Sequence, residues 1–113
     1  MTAPTPGVAW LLLVVAGVLE VVWALGLKYS DGFTRPGPSA VVVVGAAASF
    51  WLLAVAMRVL PAGTAYAVWV GIGAAGTALL GMVLLGEPAT AARLVCILLI
   101  VAGVLGLKLV SGG

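Results

Sequence analysis

One carboxylate stands inside a long apolar run of this sequence. Glu20 lies within residues 8–27, and it is the only acidic residue in any of the long apolar runs. A charged side chain at the middle of a membrane costs ~2.5–3.5 kcal/mol on insertion scales. Chains keep such a residue where it binds an ion, moves a proton or pairs with a partner, so Glu20 is the first candidate for chemistry.

Side chains at helical spacing accompany this carboxylate. Gly17 precedes Glu20 by three residues and Trp23 follows it by three, so the three share one stripe of a helix. The stripe continues to Leu13 and Leu27. Gly17 leaves room beside the carboxylate, and Trp23 places an indole N–H and an aromatic face next to it.

Two later runs supply further polar and aromatic groups. Tyr66, Trp69, Gly73 and Gly76 follow the same helical spacing, and Ser49 is a hydroxyl among aliphatic residues. Each has an ordinary explanation when taken alone. Trp and Tyr anchor helices at membrane interfaces, and a lone Ser in a membrane helix often bonds a carbonyl of its own helix.

Together, these residue types suit an organic cation. Aromatic faces attract a cation by ~2 kcal/mol when desolvated, and indole, phenol and hydroxyl groups can donate hydrogen bonds to a carboxylate. A dehydrated metal ion would need several oxygen ligands, which the sequence does not gather, so we expect no metal site and no cofactor. A proton and a cation could therefore compete for Glu20, as in an antiporter.

Composition determines which elements must position these groups. The chain has 113 residues, of which 65% are hydrophobic and 7% charged, against about 25% charged in soluble domains. Its charges separate four apolar stretches, and a membrane-spanning helix needs ~20 apolar residues. We predict an all-α integral membrane protein, with residues 1–113 forming a single domain of four transmembrane helices at about 8–28, 38–57, 62–86 and 91–110. The net charge of +2 comes from short loops, so nucleic acid is not an expected partner.

The loop charges are almost balanced across the membrane. The amino terminus, second loop and carboxy terminus hold Arg58 and Lys108, whereas the first and third loops hold Lys28, Arg35 and Arg93. A difference of one basic residue orients a chain only weakly under the positive-inside rule. The sequence therefore favours insertion in both orientations, and two opposite copies would form an antiparallel pair. A single orientation set by the one extra charge is the alternative.

Several motifs resemble one family when read in register. Residues 20–24 (EVVWA), 28–35 (KYSDGFTR), 49–53 (SFWLL), 61–69 (PAGTAYAVW), 71–73 (GIG) and 102–104 (AGV) resemble the small multidrug resistance family of proton-coupled exporters. The likeness runs from Trp10 to about Lys108. Trp23 resembles the guanidinium-exporter branch, since exporters of polyaromatic cations typically carry a small residue there. Residues 106–108 (GLK) also resemble that branch.

The resemblance implies an antiparallel, dual-topology homodimer in the bacterial inner membrane that exchanges protons for cytoplasmic guanidinium. Helices one to three would line the site, and helix four would make most of the dimer contact. Guanidinium is planar and presents forked N–H donors that match a carboxylate. A tight pocket restricted by Trp23 would suit it, and small substituted guanidinium or quaternary ammonium cations with thin tails could also enter.

The resemblance also assigns residue roles. Glu20 is the shared proton and substrate site, and Gly71 and Gly73 mark the point where helix three bends. Cys96 stands seven residues before Gly103, where the family often has glycine, and both fall on the dimer contact; the ordinary interpretation of Cys96 is a small packing residue. The residues that line or order the site are Gly17, Trp23, Ser49, Tyr66 and Trp69.

Three other functions stay open at this point. A broad-specificity multidrug antiporter would share the proton chemistry and differ in substrate. The chain could instead form half of a heterodimer with a paralogue. A structural membrane subunit is the alternative from another class, with Glu20 holding helices together by hydrogen bonds.

Overall fold

The computed structural model describes residues 3–111 as a bundle of four α-helices. They are α1 (Pro6–Tyr29), α2 (Pro36–Ala56), α3 (Ala62–Leu84) and α4 (Ala91–Val110). Each is long and apolar enough to cross a membrane, and no strand occurs among the described residues. The predicted all-α fold with four spanning helices is therefore confirmed.

The start of α3 and both ends of α4 coincide with the predicted positions, and the other helix ends differ from them by one or two residues. α1 and α2 begin at Pro6 and Pro36 rather than at 8 and 38, because proline suits the first turn of a helix, where its missing N–H costs nothing. α1 extends to 29 and α2 stops at 56. α3 ends at 84 rather than 86, because Gly86 has a φ of +67°, which ends a helix and favours glycine.

The helices pack in an unequal way. α1 contacts α2 along its length and also contacts α3, whereas the backbone of α4 lies close to α3 alone among the described helices, and its Lys108 side chain reaches the Trp10 ring of α1. Ile97 is the only buried residue within α4. The main cluster of buried residues lies toward the end of the bundle where α1 starts, α2 ends and α3 starts. The outer surface of α4 is therefore left to lipid or to another chain.

Glycines let α1 and α3 approach closely. A Cβ atom at Gly17 would lie 2.7 Å from Cγ2 of Ile72 on α3, which is closer than carbon atoms pack. From the other side, a Cβ atom at Gly73 would overlap the carboxylate of Glu20. Because both helices carry glycine where they meet, the Glu20 side chain lies directly against the backbone of α3.

The turn between α1 and α2 is organised by one buried hydroxyl. Ser30 is fully buried, donates a hydrogen bond to the Leu27 carbonyl at 2.8 Å and accepts one from the Phe33 N–H at 3.1 Å. Asp31, Gly32 and Phe33 all have positive φ, which the bonds of Ser30 help to hold. The turn thus keeps α1 and α2 antiparallel with a short connection.

Candidate substrate-binding site

Glu20 lies in a confined place without a compensating group. Its side chain is half-buried on α1 and lies against α3 at Gly73. The oxygen Oε1 is buried and receives no hydrogen bond from the described residues. A buried carboxylate oxygen without a donor is unfavourable when charged. An ionised Glu20 would therefore be unfavourable at this place unless another group neutralised it.

A buried hydrogen-bond relay supports the turn of α1 that carries Glu20. The Ser49 hydroxyl on α2 donates to the carbonyl of Ala16 at 2.7 Å and accepts from the indole N–H of Trp69 on α3 at 2.9 Å. The Ala16 carbonyl is four residues before Glu20, so it is also the helical acceptor for the backbone N–H of Glu20. Ser49 thus joins three helices at the carboxylate.

This relay corrects two expectations drawn from residue types. Ser49 bonds a carbonyl of a neighbouring helix, not one of its own. The hydroxyl of Ser49 and the indole N–H of Trp69 are used in the relay, so neither donates to the Glu20 carboxylate within this subunit. Both residues are thus bonded to the backbone of α1 one turn before Glu20.

Trp23 is held by a glycine that the sequence analysis missed. A Cβ atom at Gly45 of α2 would lie 3.2 Å from Cβ of Trp23 and 3.7 Å from its ring atom Cδ1. The indole Nε1 is buried and has no acceptor among the described residues. The signal for Gly45 was present in the sequence, since it precedes Ser49 by four residues and so shares its helix face.

A row of aromatic rings extends from Trp23 across the bundle. Phe50 lies 6.0 Å from Trp23 and 5.5 Å from Trp69, and Tyr66 lies 5.6 Å from Trp69, between ring centroids. Phe50 and Tyr66 are 50% and 55% exposed, so one side of the row is open in a single subunit. In the sequence, Phe50 stands out only as part of the motif at residues 49–53, whereas in the structure its ring lies between the two tryptophans.

The remaining predicted residues divide between the site and the outside of the bundle. Gly17 lies near the carboxylate, against Ile72. Gly71 faces α4, where an added Cβ would overlap Val104. Cys96 is exposed, and nothing lies within 4 Å of a Cβ placed at Gly103. The structure therefore does not bring Gly71, Cys96 or Gly103 to Glu20.

The part of the chain that the structure describes does not gather a set of metal-ligating side chains. No group of three or more His, Cys, Asp or Glu side chains comes together there. A carboxylate–cation contact occurs elsewhere, between Glu87 in the connection after α3 and Arg93 in the first turn of α4, at 3.1 Å. The described site is thus one carboxylate packed on Gly73, with Trp23 one helical turn further along α1.

Four long apolar helices, with one carboxylate enclosed between α1 and α3, define a small integral membrane protein. The sequence profile of the family described as "Small Multidrug Resistance protein" matches residues 8–100, and the chain belongs to this family. It is accordingly a multi-pass protein of the bacterial inner membrane and a transporter, not an enzyme.

Curated relatives are similar along almost the entire chain. A protein of Yersinia pseudotuberculosis named "Guanidinium exporter" is 64% identical over 103 residues, covering 91% of this chain and 99% of the relative. Proteins of the same name from Escherichia coli K12 and Salmonella typhimurium are 58% and 57% identical over 101 residues, covering 89% of this chain and 96% of each relative.

The relay makes a prediction about stability. Ser49→Ala should lower the free energy of unfolding by ~1–3 kcal/mol, because it leaves the buried N–H of Trp69 without an acceptor. In a Trp69→Phe background, the same substitution should cost less, because that N–H is already gone. Unfolding in detergent micelles measures both effects as a double-mutant cycle.

The matched control is Ser39→Ala on the same helix. Ser39 is near the start of α2 and its hydroxyl donates only to the Arg35 carbonyl, so its removal should change the free energy of unfolding by no more than ~0.5 kcal/mol. An equal cost of Ser49→Ala in both backgrounds would show that the two side chains do not act as a unit.

Proposed function

We propose that this protein is a proton-coupled antiporter that exports guanidinium across the inner membrane, with Glu20 binding the proton and the cation in turn. The observation that carries the proposal is the buried Oε1 of Glu20, which lies against Gly73 without a hydrogen-bond donor from the described residues. Such a carboxylate is stable when a proton or a cation neutralises it.

Mutual exclusion at Glu20 provides the coupling. A protonated carboxyl group has no charge to pair with a cation, and a carboxylate that binds a cation has released its proton. The site binds a proton or a cation, one at a time. If it changes the side of the membrane to which it is open only when one of them is bound, it exchanges the proton for the cation. No second carboxylate is required within the subunit.

Two lines of support favour guanidinium as the cation. The relatives at 57–64% identity are named guanidinium exporters. Independently, guanidinium matches a carboxylate through forked N–H donors and stacks on aromatic faces. Trp23, one turn after Glu20 on α1, and Phe50, 6.0 Å from Trp23 between ring centroids, supply such faces, and we expect Trp23 to limit the volume near the carboxylate. Small substituted guanidinium or quaternary ammonium cations fit the same reasoning if their tails extend along the open side of the aromatic row.

An antiparallel homodimer completes this proposal. The row of Phe50 and Tyr66 is open on one side of a single subunit, and α4 buries only Ile97 among its described residues. A second copy in the opposite orientation would cover both surfaces, and the nearly balanced loop charges permit that insertion. We place Cys96 and Gly103 at the α4 contact, where small side chains allow helices to approach closely.

Conformational change is proposed to occur at Gly71 and Gly73 on α3. Gly71 lies against Val104 of α4, whereas Gly73 lies against Glu20 of α1. A bend between them would alter how the half of α3 next to the carboxylate is oriented relative to α4. Occupation of Glu20 and the exposure of the site would then be linked through the same short segment.

The first functional prediction concerns the carboxylate. Glu20→Gln should abolish proton-driven guanidinium uptake into liposomes, because glutamine has a similar shape but can neither release a proton nor neutralise a cation. Glu87→Gln is the matched control; it removes a carboxylate in the connection before α4 that pairs with Arg93 and should leave transport within about twofold, given that an exposed ion pair contributes at most ~1 kcal/mol. Persistent coupled uptake by Glu20→Gln would contradict the proposal.

The second prediction concerns selectivity. Trp23→Gly should weaken guanidinium transport, because the small cation loses an aromatic face, and should improve binding of a bulky aromatic cation, because space opens beside Glu20. Selectivity is a difference of two affinities, so both substrates are measured on one preparation. Trp51→Gly is the control, since Trp51 is 61% exposed on α2. An unchanged ratio in Trp23→Gly would mean that Trp23 only packs the helices.

The third prediction concerns topology. A single cysteine added at the carboxy terminus of a Cys96→Ala protein should react with a membrane-impermeant thiol reagent from both sides of the membrane, in comparable amounts. Adding two lysines to the loop at Arg58 should bias insertion and reduce transport, and a copy biased in the opposite direction should restore it. Labelling from one side only, in a homomeric preparation that transports, would exclude the antiparallel dimer.

A further inference from the structure

The contact between α1 and α3 continues one helical turn beyond Glu20. Gly73 of α3 lies against the Glu20 carboxylate, and a Cβ atom at Gly76 would lie 2.5 Å from Cγ2 of Val21. Residue numbers rise together on the two sides of this contact, so the two helices run in the same direction. The turn of α3 that follows Gly73 therefore lies beside the turn of α1 that follows Glu20.

Thr77 supplies a hydroxyl group at this turn of α3. It follows Gly73 by four residues and Tyr66 by eleven, so the three share the stripe of α3 that contains the Glu20 contact and the start of the aromatic row. An apolar groove lies elsewhere, between α3, α1 and α4, and Thr77 is absent from its lining. The α3 residues that line that groove are Val68, Gly71, Ile72, Ala75 and Gly76. Thr77 is thus placed on the Glu20 side of α3.

The Thr77 hydroxyl has no partner among the described residues. Its Oγ1 atom is buried and makes no hydrogen bond there. Ser39 and Ser111 each donate to the carbonyl four residues earlier, which is a common bond for helical hydroxyl groups, but Thr77 does not bond Gly73 in this way. A buried polar atom without a partner is unfavourable, and it calls for a water molecule, an ion or a ligand that would satisfy it.

Two oxygen atoms without partners therefore lie one helical turn apart. The Glu20 carboxylate occupies the place that a side chain at Gly73 would take, and its Oε1 receives no hydrogen bond from the described residues. Side chains four residues apart on a helix are ~5–6 Å from one another, and each Cβ is tilted toward the helix N-terminus, which directs Thr77 back toward Gly73. The two oxygens make no direct bond, and a small group that donates to both could bridge them.

We propose that Thr77 is a second ligand of the transported cation, with its hydroxyl oxygen accepting a hydrogen bond from a guanidinium ion that pairs with Glu20. Guanidinium has N–H donors on every edge of its plane and no acceptor, so donors remain free after one edge has paired with a carboxylate. Thr77 accepts from one of them. The indole N–H of Trp23 is also buried without a partner, but a donor cannot bind a cation in this way.

This role of Thr77 rests on the function proposed above, and two other roles of the hydroxyl would have different consequences. If Thr77 donated to the Glu20 carboxylate, it would favour the charged form over the protonated one, so its loss would weaken guanidinium binding only where a proton competes. If it held a water molecule alone, its loss would leave guanidinium binding unchanged. A hydroxyl that accepts from the cation strengthens binding at every pH.

Calorimetric titration of the purified full-length protein with guanidinium chloride, over a series of pH values, tests the proposal. Thr77→Val keeps the branched shape and removes the hydroxyl, and it should weaken binding by about tenfold (~1.4 kcal/mol), the scale of a hydrogen bond to a charged group. The factor should persist at alkaline pH, where protons no longer compete. Thr77→Ser keeps the hydroxyl and should restore most of the affinity.

Thr64→Val is the matched control. It removes a hydroxyl of α3 nine residues before Gly73, which is the opposite side of the helix, and it should change the affinity by less than about twofold. Circular dichroism verifies that each variant is folded, and Thr77→Ala provides a second variant without the hydroxyl.

Three results would overturn the role of Thr77 and leave that of Glu20 intact. They are an unchanged affinity in the folded variants without the hydroxyl, a loss that disappears at alkaline pH, and an equal loss in Thr77→Ser, which would make the shape at this position decisive. Absence of guanidinium binding to the unmodified protein, or binding that is independent of pH, would instead contradict the proposed function.

Discussion

The close approach of α1 and α3 is the constraint on which the remainder of this structure depends. Glycine at 17 and at 73 brings the two helices so near that the Glu20 side chain lies against peptide backbone, and a residue with a Cβ atom at 73 could not occupy that place. The carboxylate is thereby enclosed on one side without receiving a hydrogen bond at Oε1. Because the carboxylate is enclosed and its Oε1 receives no hydrogen bond, its stability depends on which ligand neutralises its charge.

The surrounding residues keep Glu20 in position and leave its charge uncompensated. Ser49 and Trp69 bond each other and the Ala16 carbonyl, so the strongest polar contacts near the site hold the backbone of α1. The Trp23 side chain packs against Gly45 of α2. Had these N–H and hydroxyl groups donated to the carboxylate, they would have stabilised its charged form and reduced its need for a cation. In the proposed mechanism, this arrangement leaves Glu20 available to the proton and the cation.

The fold could be predicted from the sequence because it follows from long, continuous apolar segments of the chain. Four apolar runs between charged loops predict four spanning helices. The carboxylate inside the first run is recognised as a functional candidate because a charged group in a membrane costs free energy. The helix ends were less accurate, because Pro6, Pro36 and Gly86 act through local backbone geometry that hydropathy does not contain.

The finer parts of the site depend on contacts between helices, which spacing along one helix cannot supply. The sequence placed Ser49 on α2, but the acceptor of its hydroxyl lies 33 residues away in α1. The sequence alone does not distinguish Gly45 from the other glycines of the helices, because its role depends on the packing of Trp23 against it. Phe50 shows the same limit, since its importance comes from lying between rings of α1 and α3.

Proton release on substrate binding tests the central claim most directly. Purified protein in a weakly buffered detergent solution is mixed with millimolar guanidinium over a series of pH values, while a pH indicator records released protons and calorimetry records binding. If both ligands use Glu20, guanidinium binding should release protons, its affinity should fall as the pH falls, and Glu20→Gln should show neither effect. Guanidinium binding to the unmodified protein with no proton release and the same affinity at every pH would contradict a shared site.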